Sequence, residues 1–99
     1  MEFLENEYYD KTFKDLNLKE KTLKSKEFDN CTFTNCTLNE TIFKYCRFTE
    51  CIFENCDLSL VKIKDSIFND VTIKDSKAIG IDWSSSQEPF DINFNNSNI

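Results

Sequence analysis

The sequence predicts an all-β chain wound into a β-helix of about four coils, with four five-residue units in each coil. Three observations predict it. A large apolar residue recurs every five residues, a small or β-branched residue precedes it by two positions, and residue types repeat best at a spacing of twenty. A period of five fits neither an α-helix nor an alternating strand. A chain that bends after every fifth residue instead winds around an apolar axis.

The large apolar column begins at Phe3 and Tyr8 and ends at Trp83. At 16 of its 17 positions the residue is large and apolar, and only Ala78 is small, so the period is not a chance arrangement. The residues predicted to form the structural core are Phe13, Leu18, Leu23, Phe28, Phe33, Leu38, Phe43, Phe48, Phe53, Leu58, Ile63, Phe68, Ile73 and Trp83.

A second column, two residues earlier, holds mostly small side chains. In extended backbone, residues two apart point to the same face, so each unit directs one small and one large side chain inward. In the first quarter of the chain Lys11, Lys21 and Lys26 occupy this position, which predicts a less regular first coil whose lysines reach outward or cap its end. The cysteines of the column, predicted to be structural thiols that fill space, are Cys31, Cys36, Cys46, Cys51 and Cys56.

The number of units in a coil follows from the spacing that best preserves residue type. At a spacing of twenty, Phe13, Phe33 and Phe53 fall in one row, and the leucines and other aromatic residues form rows of their own. Like residues stack on like when coils lie one above another, about 4.8 Å apart as neighbouring strands do. Four units per coil is therefore predicted.

The runs CTFTN, CTLNE, CRFTE, CIFEN and CDLSL resemble those of pentapeptide-repeat proteins, in which a central Leu or Phe follows a small residue by two positions. This resemblance implies a right-handed quadrilateral β-helix. The sequence differs from the family in having Cys, Thr, Val or Ser where the commonest small residue is Ala. The resemblance covers nearly the whole chain.

The pattern also predicts the boundaries. Residues 1–10 are an acidic lead-in that covers the edge, 11–83 form the β-helix, 84–90 form a loop with the only Pro, and 91–99 begin a further coil one residue out of phase. The only Gly, Gly80, resembles a kink in the Qnr quinolone-resistance branch of the family. Because the chain stops at a core position, Ile99, we expect either a longer protein or self-association through the uncapped C-terminal coil.

Composition excludes several classes of function. The net charge of −6 argues against binding nucleic acid, and His, the commonest general base and metal ligand, is absent. No apolar run reaches the length of a membrane span, and the acidic start lacks a secretory signal, so a cytoplasmic location is expected.

The cysteines do not show the spacing of a metal site. Zinc sites use pairs two to four residues apart with a second pair or His, so no metal and no cofactor are expected. Stacking would bring Cys31 over Cys51 and Cys36 over Cys56, within reach of a disulfide, but a reducing compartment and an odd count favour free thiols. A metal or redox role stays a remote alternative. No nucleophile–base pair or phosphate-binding loop is present, which predicts that the chain is not an enzyme.

The function predicted from the sequence is a non-catalytic scaffold or protein-interaction module of unknown partner. Resemblance to the Qnr branch implies an alternative, a DNA mimic that binds DNA gyrase or topoisomerase IV and gives quinolone resistance. Four coils span about 19 Å, over which duplex DNA carries about eleven charges against the net −6 of this chain, so the chain alone is not expected to inhibit gyrase. The acids considered for such an interaction, with a merely solvated surface as the other reading, are Glu50, Asp65, Asp70 and Asp75.

Overall fold

The computed structural model describes residues 3–99 and shows a right-handed, four-sided β-helix of about four coils, as the sequence predicts. Its strands are β1 (Glu7–Tyr9), β2 (Thr12–Lys14), β3 (Thr22–Lys24), β4 (Glu27–Asp29), β5 (Thr32–Thr34), β6 (Ile42–Lys44), β7 (Arg47–Thr49), β8 (Ile52–Glu54), β9 (Lys62–Lys64), β10 (Ser66–Lys74) and β11 (Ser86–Asn95). A short 3-10 helix covers Trp83–Ser85.

Parallel pairing of these strands builds four walls. Wall A contains β1, β4, β7 and the first part of β10, and wall B contains β2, β5, β8 and the last part of β10. Wall C is a row of isolated bridges that starts with Asn17 and Thr37, and wall D contains β3, β6 and β9. Pairs such as Phe13 with Phe33 lie twenty residues apart, which confirms four units per coil.

The corners between walls use left-handed backbone. Every fifth residue from Asp10 to Asp75 has a positive φ, between 47° and 62°, and Gly80 continues the series at 75°. Asp and Asn tolerate this conformation better than other non-glycine residues, which accounts for their frequency at the corner position. Tyr45 and Leu60 occupy it too, although their bulkier side chains fit it less well.

Stacked aromatic rings fill the axis of the helix. Phe33 and Phe53 lie 4.8 Å apart between ring centroids and nearly parallel, and Phe28 stacks on Phe48 at 5.2 Å. Every residue of the predicted core is buried except Trp83, which is only partly buried. Trp83 packs against the core beside Phe68, but Phe90 and Phe94 on its other side are themselves exposed, so its coverage is incomplete and its predicted place in the core is corrected to the edge of the core.

The first coil is regular, so the prediction of irregularity is wrong. Its strand β1 pairs with β4 at the usual spacing, with Tyr8 beside Phe28. The Lys26 ammonium donates to the backbone carbonyls of Phe3 at 3.0 Å and Glu5 at 2.7 Å, which confirms that a lysine caps this edge. Residues 1 and 2 of the predicted lead-in lie outside the described residues.

The segment 84–90 differs from the predicted loop. After the 3-10 helix it enters β11, which runs parallel to β10. Ile67 pairs with Gln87, but Phe68 pairs with Phe90, so Glu88 and Pro89 bulge from the ladder. A proline lacks the N–H that a regular ladder needs and is tolerated at a bulge. The neighbouring coil holds the segment in strand pairing, which local composition does not reveal.

Beyond the bulge the register is shifted by one residue, as the pattern predicts. Ile73 pairs with Phe94, and the hydroxyl of Ser97 donates to the Ile73 carbonyl at 3.2 Å. Phe94 and Ile99 are 37% and 73% exposed, because no further coil of the described chain packs on them.

Candidate interaction walls

Wall A collects acidic side chains on its outer surface. Glu7 pairs directly with Glu27. At the corner where wall A meets wall B, Glu50 lies one coil above Asn30. The one outward cation among these strands is Arg47, beside Glu27. We call this surface the acidic wall and define it by Glu7, Asp10, Glu27, Asp29, Glu50 and Asp70.

The four acids considered from the sequence do not form one cluster. Glu50 and Asp70 stack on the closing corner of the acidic wall, where the Glu50 N–H donates to the Asn69 carbonyl at 2.9 Å. Asp65 lies at the other corner of this wall, where wall D meets wall A. Asp75 lies at the far end of wall B, where wall B meets wall C. Two of the four therefore belong to the acidic wall.

Four acids of the acidic wall were missed from the sequence. The signal was available, because the spacing of twenty that aligns the core also places Glu7 beside Glu27 and Tyr9 beside Asp29. The sequence reading compared charges along the chain, where lysines alternate with acids. Charges that alternate along the chain are sorted onto different walls once the coil is closed.

Wall D carries the opposite charge. Lys24 pairs with Lys44, and Lys44 pairs with Lys64, so three ammonium groups project from consecutive coils. In residues 3–99 the only ion pair joins Lys74 and Glu54, at 3.9 Å, on wall B. The lysines of wall D thus have no carboxylate within ion-pair distance. We call this surface the basic wall and define it by Lys21, Lys24, Lys44, Lys62 and Lys64.

Amide side chains bridge the coils at two corners. The Asn30 amide donates to the Asp10 carboxylate at 2.7 Å, and the Asn35 amide donates to Asp15 at 2.6 Å. Asn96 donates to Asp75 in the same way, at 2.6 Å. A neutral amide between acids lowers their mutual repulsion, so these bonds help the acidic corners to stack.

The small inward residues are hydrogen-bond donors as well as fillers. The Thr41 hydroxyl donates to the Leu18 carbonyl at 2.8 Å, and the Cys46 thiol lies 3.2 Å from the Leu23 carbonyl. The Ser66 hydroxyl accepts the Cys46 N–H at 3.0 Å. The sequence reading missed this role. It could have been recognised from the residue types, because Cys, Thr and Ser each carry an S–H or O–H hydrogen-bond donor that Ala lacks.

The five thiols are buried and free. Burial raises the pKa of Cys31 and Cys46, and it raises the pKa of Cys51 to about 12. A hydrogen bond with the Cys56 thiol lowers the pKa of Cys36 to about 7 against the effect of burial. The same hydrogen bond, together with burial, raises the pKa of Cys56.

Among residues 3–99 no group of three or more Cys, Asp or Glu side chains is placed to hold a metal ion. Within the same range no helix has the length and apolar character needed to cross a membrane. A polar groove of about 450 Å³ runs along the corner between walls B and C, where Asn35, Asn55 and Asp57 line it.

Comparison with known proteins identifies a family and proteins of similar fold. A family model described as a pentapeptide repeat region matches residues 26–99. QnrB1 is a plasmid-mediated fluoroquinolone resistance protein, and two structures of its trypsin-treated variants are similar to this chain. Their TM-scores are 0.59 and 0.60, each at 17% sequence identity. They cover 92% and 94% of this chain, which spans only 52% of each. No curated protein matches the sequence.

Proposed function

Because this chain belongs to the pentapeptide-repeat family, we propose that it is a non-catalytic protein-interaction module whose acidic wall binds a basic surface of a protein partner. One observation carries the proposal: six carboxylates project from one wall of a rigid coil, with Arg47 as the single outward cation among its strands.

The acidic wall is suited to binding because it is held rigid before a partner arrives. Its strands pair with those of neighbouring coils, and its corner acid Asp10 accepts a hydrogen bond from the Asn30 amide. Ordering loops on binding costs free energy, which a prebuilt surface avoids. A concentrated negative wall also raises the association rate with a basic surface and rejects acidic competitors.

The non-catalytic part of the proposal is supported by the chemistry of the core. A nucleophile must be reachable and ionised. Cys31, Cys46 and Cys51 are buried and have a raised pKa. Cys36 has a pKa lowered to about 7, but it is only 3% exposed and so is not reachable by a substrate. The family fold also points to a scaffold.

Capture from a lysate with charge-reversed variants tests the proposal. The acidic-wall variant carries Glu7→Lys, Glu27→Lys and Glu50→Lys. A matched control carries Glu20→Lys, Glu40→Lys and Asp57→Lys, three reversals on or beside wall C. A partner identified by mass spectrometry should bind the original chain and the control but not the acidic-wall variant. Equal capture by the acidic-wall variant would contradict the proposal.

A second candidate is a DNA mimic that binds the DNA site of a type II topoisomerase such as DNA gyrase. It is favoured by the likeness to QnrB1 and by the charge of one wall. One strand of duplex DNA carries about one charge per 3.4 Å, or five to six over the ~19 Å of four coils. The acidic wall carries six carboxylates and Arg47, so its amount of charge is close to that of one strand, although its coils are spaced more widely than the phosphates and the whole chain falls short of a duplex.

A supercoiling assay with purified gyrase tests the second candidate. If the chain is a mimic, it should inhibit supercoiling or protect gyrase from a fluoroquinolone, and the acidic-wall variant should do neither while the control retains the effect. Unchanged supercoiling with an excess of the original chain would remove this candidate. It would leave the first proposal intact, since that proposal names no particular partner.

A further inference from the structure

The basic wall has no role in the function proposed above. Lys24, Lys44 and Lys64 lie in register on β3, β6 and β9, with ammonium groups on neighbouring strands that are about 4.8 Å apart. Like charges placed directly opposite one another destabilise a sheet. Within residues 3–99 no carboxylate neutralises them by an ion pair. A chain of net charge −6 therefore keeps a concentrated positive surface.

We propose that the basic wall binds the acidic wall of a second copy of this chain. The acidic wall supplies the opposite charge, and both walls are made of parallel strands with the same spacing. Glu7 and Glu27 lie on consecutive coils at the same interval as Lys44 and Lys64. Two copies offset by two coils along the axis therefore bring two rows of lysine onto two rows of acid and leave Arg47 beyond the lysines. This inference does not depend on the partner proposed above.

A second copy fits the basic wall better than nucleic acid does. Phosphates of one duplex strand recur about every 3.4 Å, which falls out of step with lysines about 4.8 Å apart. The net charge of the chain also repels a long polyanion, and Asp65 lies on the corner next to Lys64. The acidic wall of another copy shares the period and presents its charge over only a few coils.

The positions of the two walls determine the kind of assembly. Walls D and A are adjacent sides of the coil and share the corner of Ser25, Tyr45 and Asp65. Contact between unlike surfaces is heterologous, and because the paired charges require an offset along the coil axis, repeated contact builds an open helix and not a closed ring. Each contact is small and formed by exposed ion pairs, so association is weak and falls with salt.

Sedimentation velocity of the purified chain tests the proposal. We expect the weight-average sedimentation coefficient to rise between about 20 and 500 µM protein in about 50 mM salt, and to stay at the monomer value in about 500 mM salt. The basic-wall variant, with Lys24→Glu, Lys44→Glu and Lys64→Glu, should stay monomeric. The acidic-wall variant should too. An equimolar mixture of the two variants should associate again, because the unchanged basic wall of one variant can bind the unchanged acidic wall of the other.

A matched control separates the wall from net charge. Lys14→Glu, Lys19→Glu and Lys77→Glu change the net charge by the same amount on other walls, and this variant should associate as the original does. Circular dichroism checks that every variant is folded. Monomeric behaviour of the original chain at about 500 µM and low salt would overturn the proposal. So would equal loss in the control, or binding of the basic wall to anionic vesicles or DNA while the chain stays monomeric.

Discussion

Large inward side chains stabilise the fold by stacking along its axis. Phe53 is 2% exposed and lies between Phe33 below and Ile73 above. Its removal would leave a cavity that a closed coil cannot fill, because each wall is held by the pairing of its neighbours. Deleting the ring removes buried apolar surface and ring stacking together.

We therefore expect Phe53→Ala to lower the free energy of unfolding by about 3–5 kcal/mol. Thr34→Ala, on the outer surface of the same wall, should cost roughly 3 kcal/mol less than that change. Urea denaturation measures both. Equal midpoints for the two variants would show that the inward assignment is wrong.

Small inward side chains tie one coil to the next by hydrogen bonds. The Ser66 hydroxyl accepts the Cys46 N–H and lies 3.1 Å from the Phe43 carbonyl. We expect Ser66→Ala to cost about 1–3 kcal/mol in urea denaturation, since a buried N–H loses its acceptor. The exposed Ser85→Ala should cost less than about 0.5 kcal/mol. If the serines contribute only volume, the two changes will differ little.

The thiols predict a dependence of stability on pH. A pKa that is raised on folding gives stability that is present below the unfolded pKa, near 9, and is lost at higher pH. For Cys51 the loss extends from about pH 9 to about 12. Cys36, with a lowered pKa of about 7, has the opposite effect between pH 7 and 9.

Cys51→Val isolates the alkaline part of this dependence. A valine side chain should fit here, because Val71 lies at the equivalent inward position of the next coil. We expect the urea midpoint of the original chain to fall more steeply above pH 9 than that of Cys51→Val. Parallel curves would show that the Cys51 thiol ionises as easily in the folded state as in the unfolded one.

Some residue-scale features could be predicted from the sequence and others could not. The core column was predictable because burial requires a large apolar side chain at each repeat, and only Trp83, on the last coil, was less buried than expected. The hydrogen bonds of Thr41 and Ser66 were missed because a small side chain suits both packing and hydrogen bonding. Their partners lie 23 residues away, which no local pattern shows.

At the scale of the elements, the corners limit which residues the chain accepts. Each unit ends in left-handed backbone, where a branched side chain is strained and Asn is tolerated. Leu60 has φ 59° and is 53% exposed, so its burial offsets little of that strain. The sequence showed only that these positions are usually polar. A five-residue repeat of side-chain types does not reveal whether the backbone at a position has a positive φ.

Leu60→Asn should therefore stabilise the chain, by about 0.5–1 kcal/mol. Ile79→Asn is the matched control, since Ile79 is 51% exposed and is not among the residues with positive φ. Thermal denaturation should show a higher melting temperature for Leu60→Asn and no increase for Ile79→Asn. A decrease for Leu60→Asn would mean that its packing outweighs backbone strain.

The strand β11 shows where an element depends on its neighbours. Polar composition and Pro89 predict a loop, yet Ser86–Asn95 pairs with β10 around a bulge. A coil already in place offers unpaired backbone groups that the next segment satisfies even where its composition is poor for strands. Local composition could predict the interruption of phase but not the pairing on either side.

At the scale of the whole molecule, coiling sorts charge. The chain alternates acids and lysines, and closing it at twenty residues per coil places Glu7 beside Glu27 and Lys24 beside Lys44 on different walls. Both proposals depend on this sorting. The fold was predictable from the period, whereas the walls required the charges to be aligned at the spacing that the core had already shown.

The affinity of the captured partner, measured as salt rises from about 50 to 500 mM, tests most directly whether the acidic wall is the binding surface. We predict that the original chain and the Glu20, Glu40 and Asp57 control bind with the same affinity and lose it in parallel as salt rises. The acidic-wall variant should bind at least about tenfold more weakly at low salt, with little further loss. Binding by that variant with unchanged affinity and salt dependence would contradict the account.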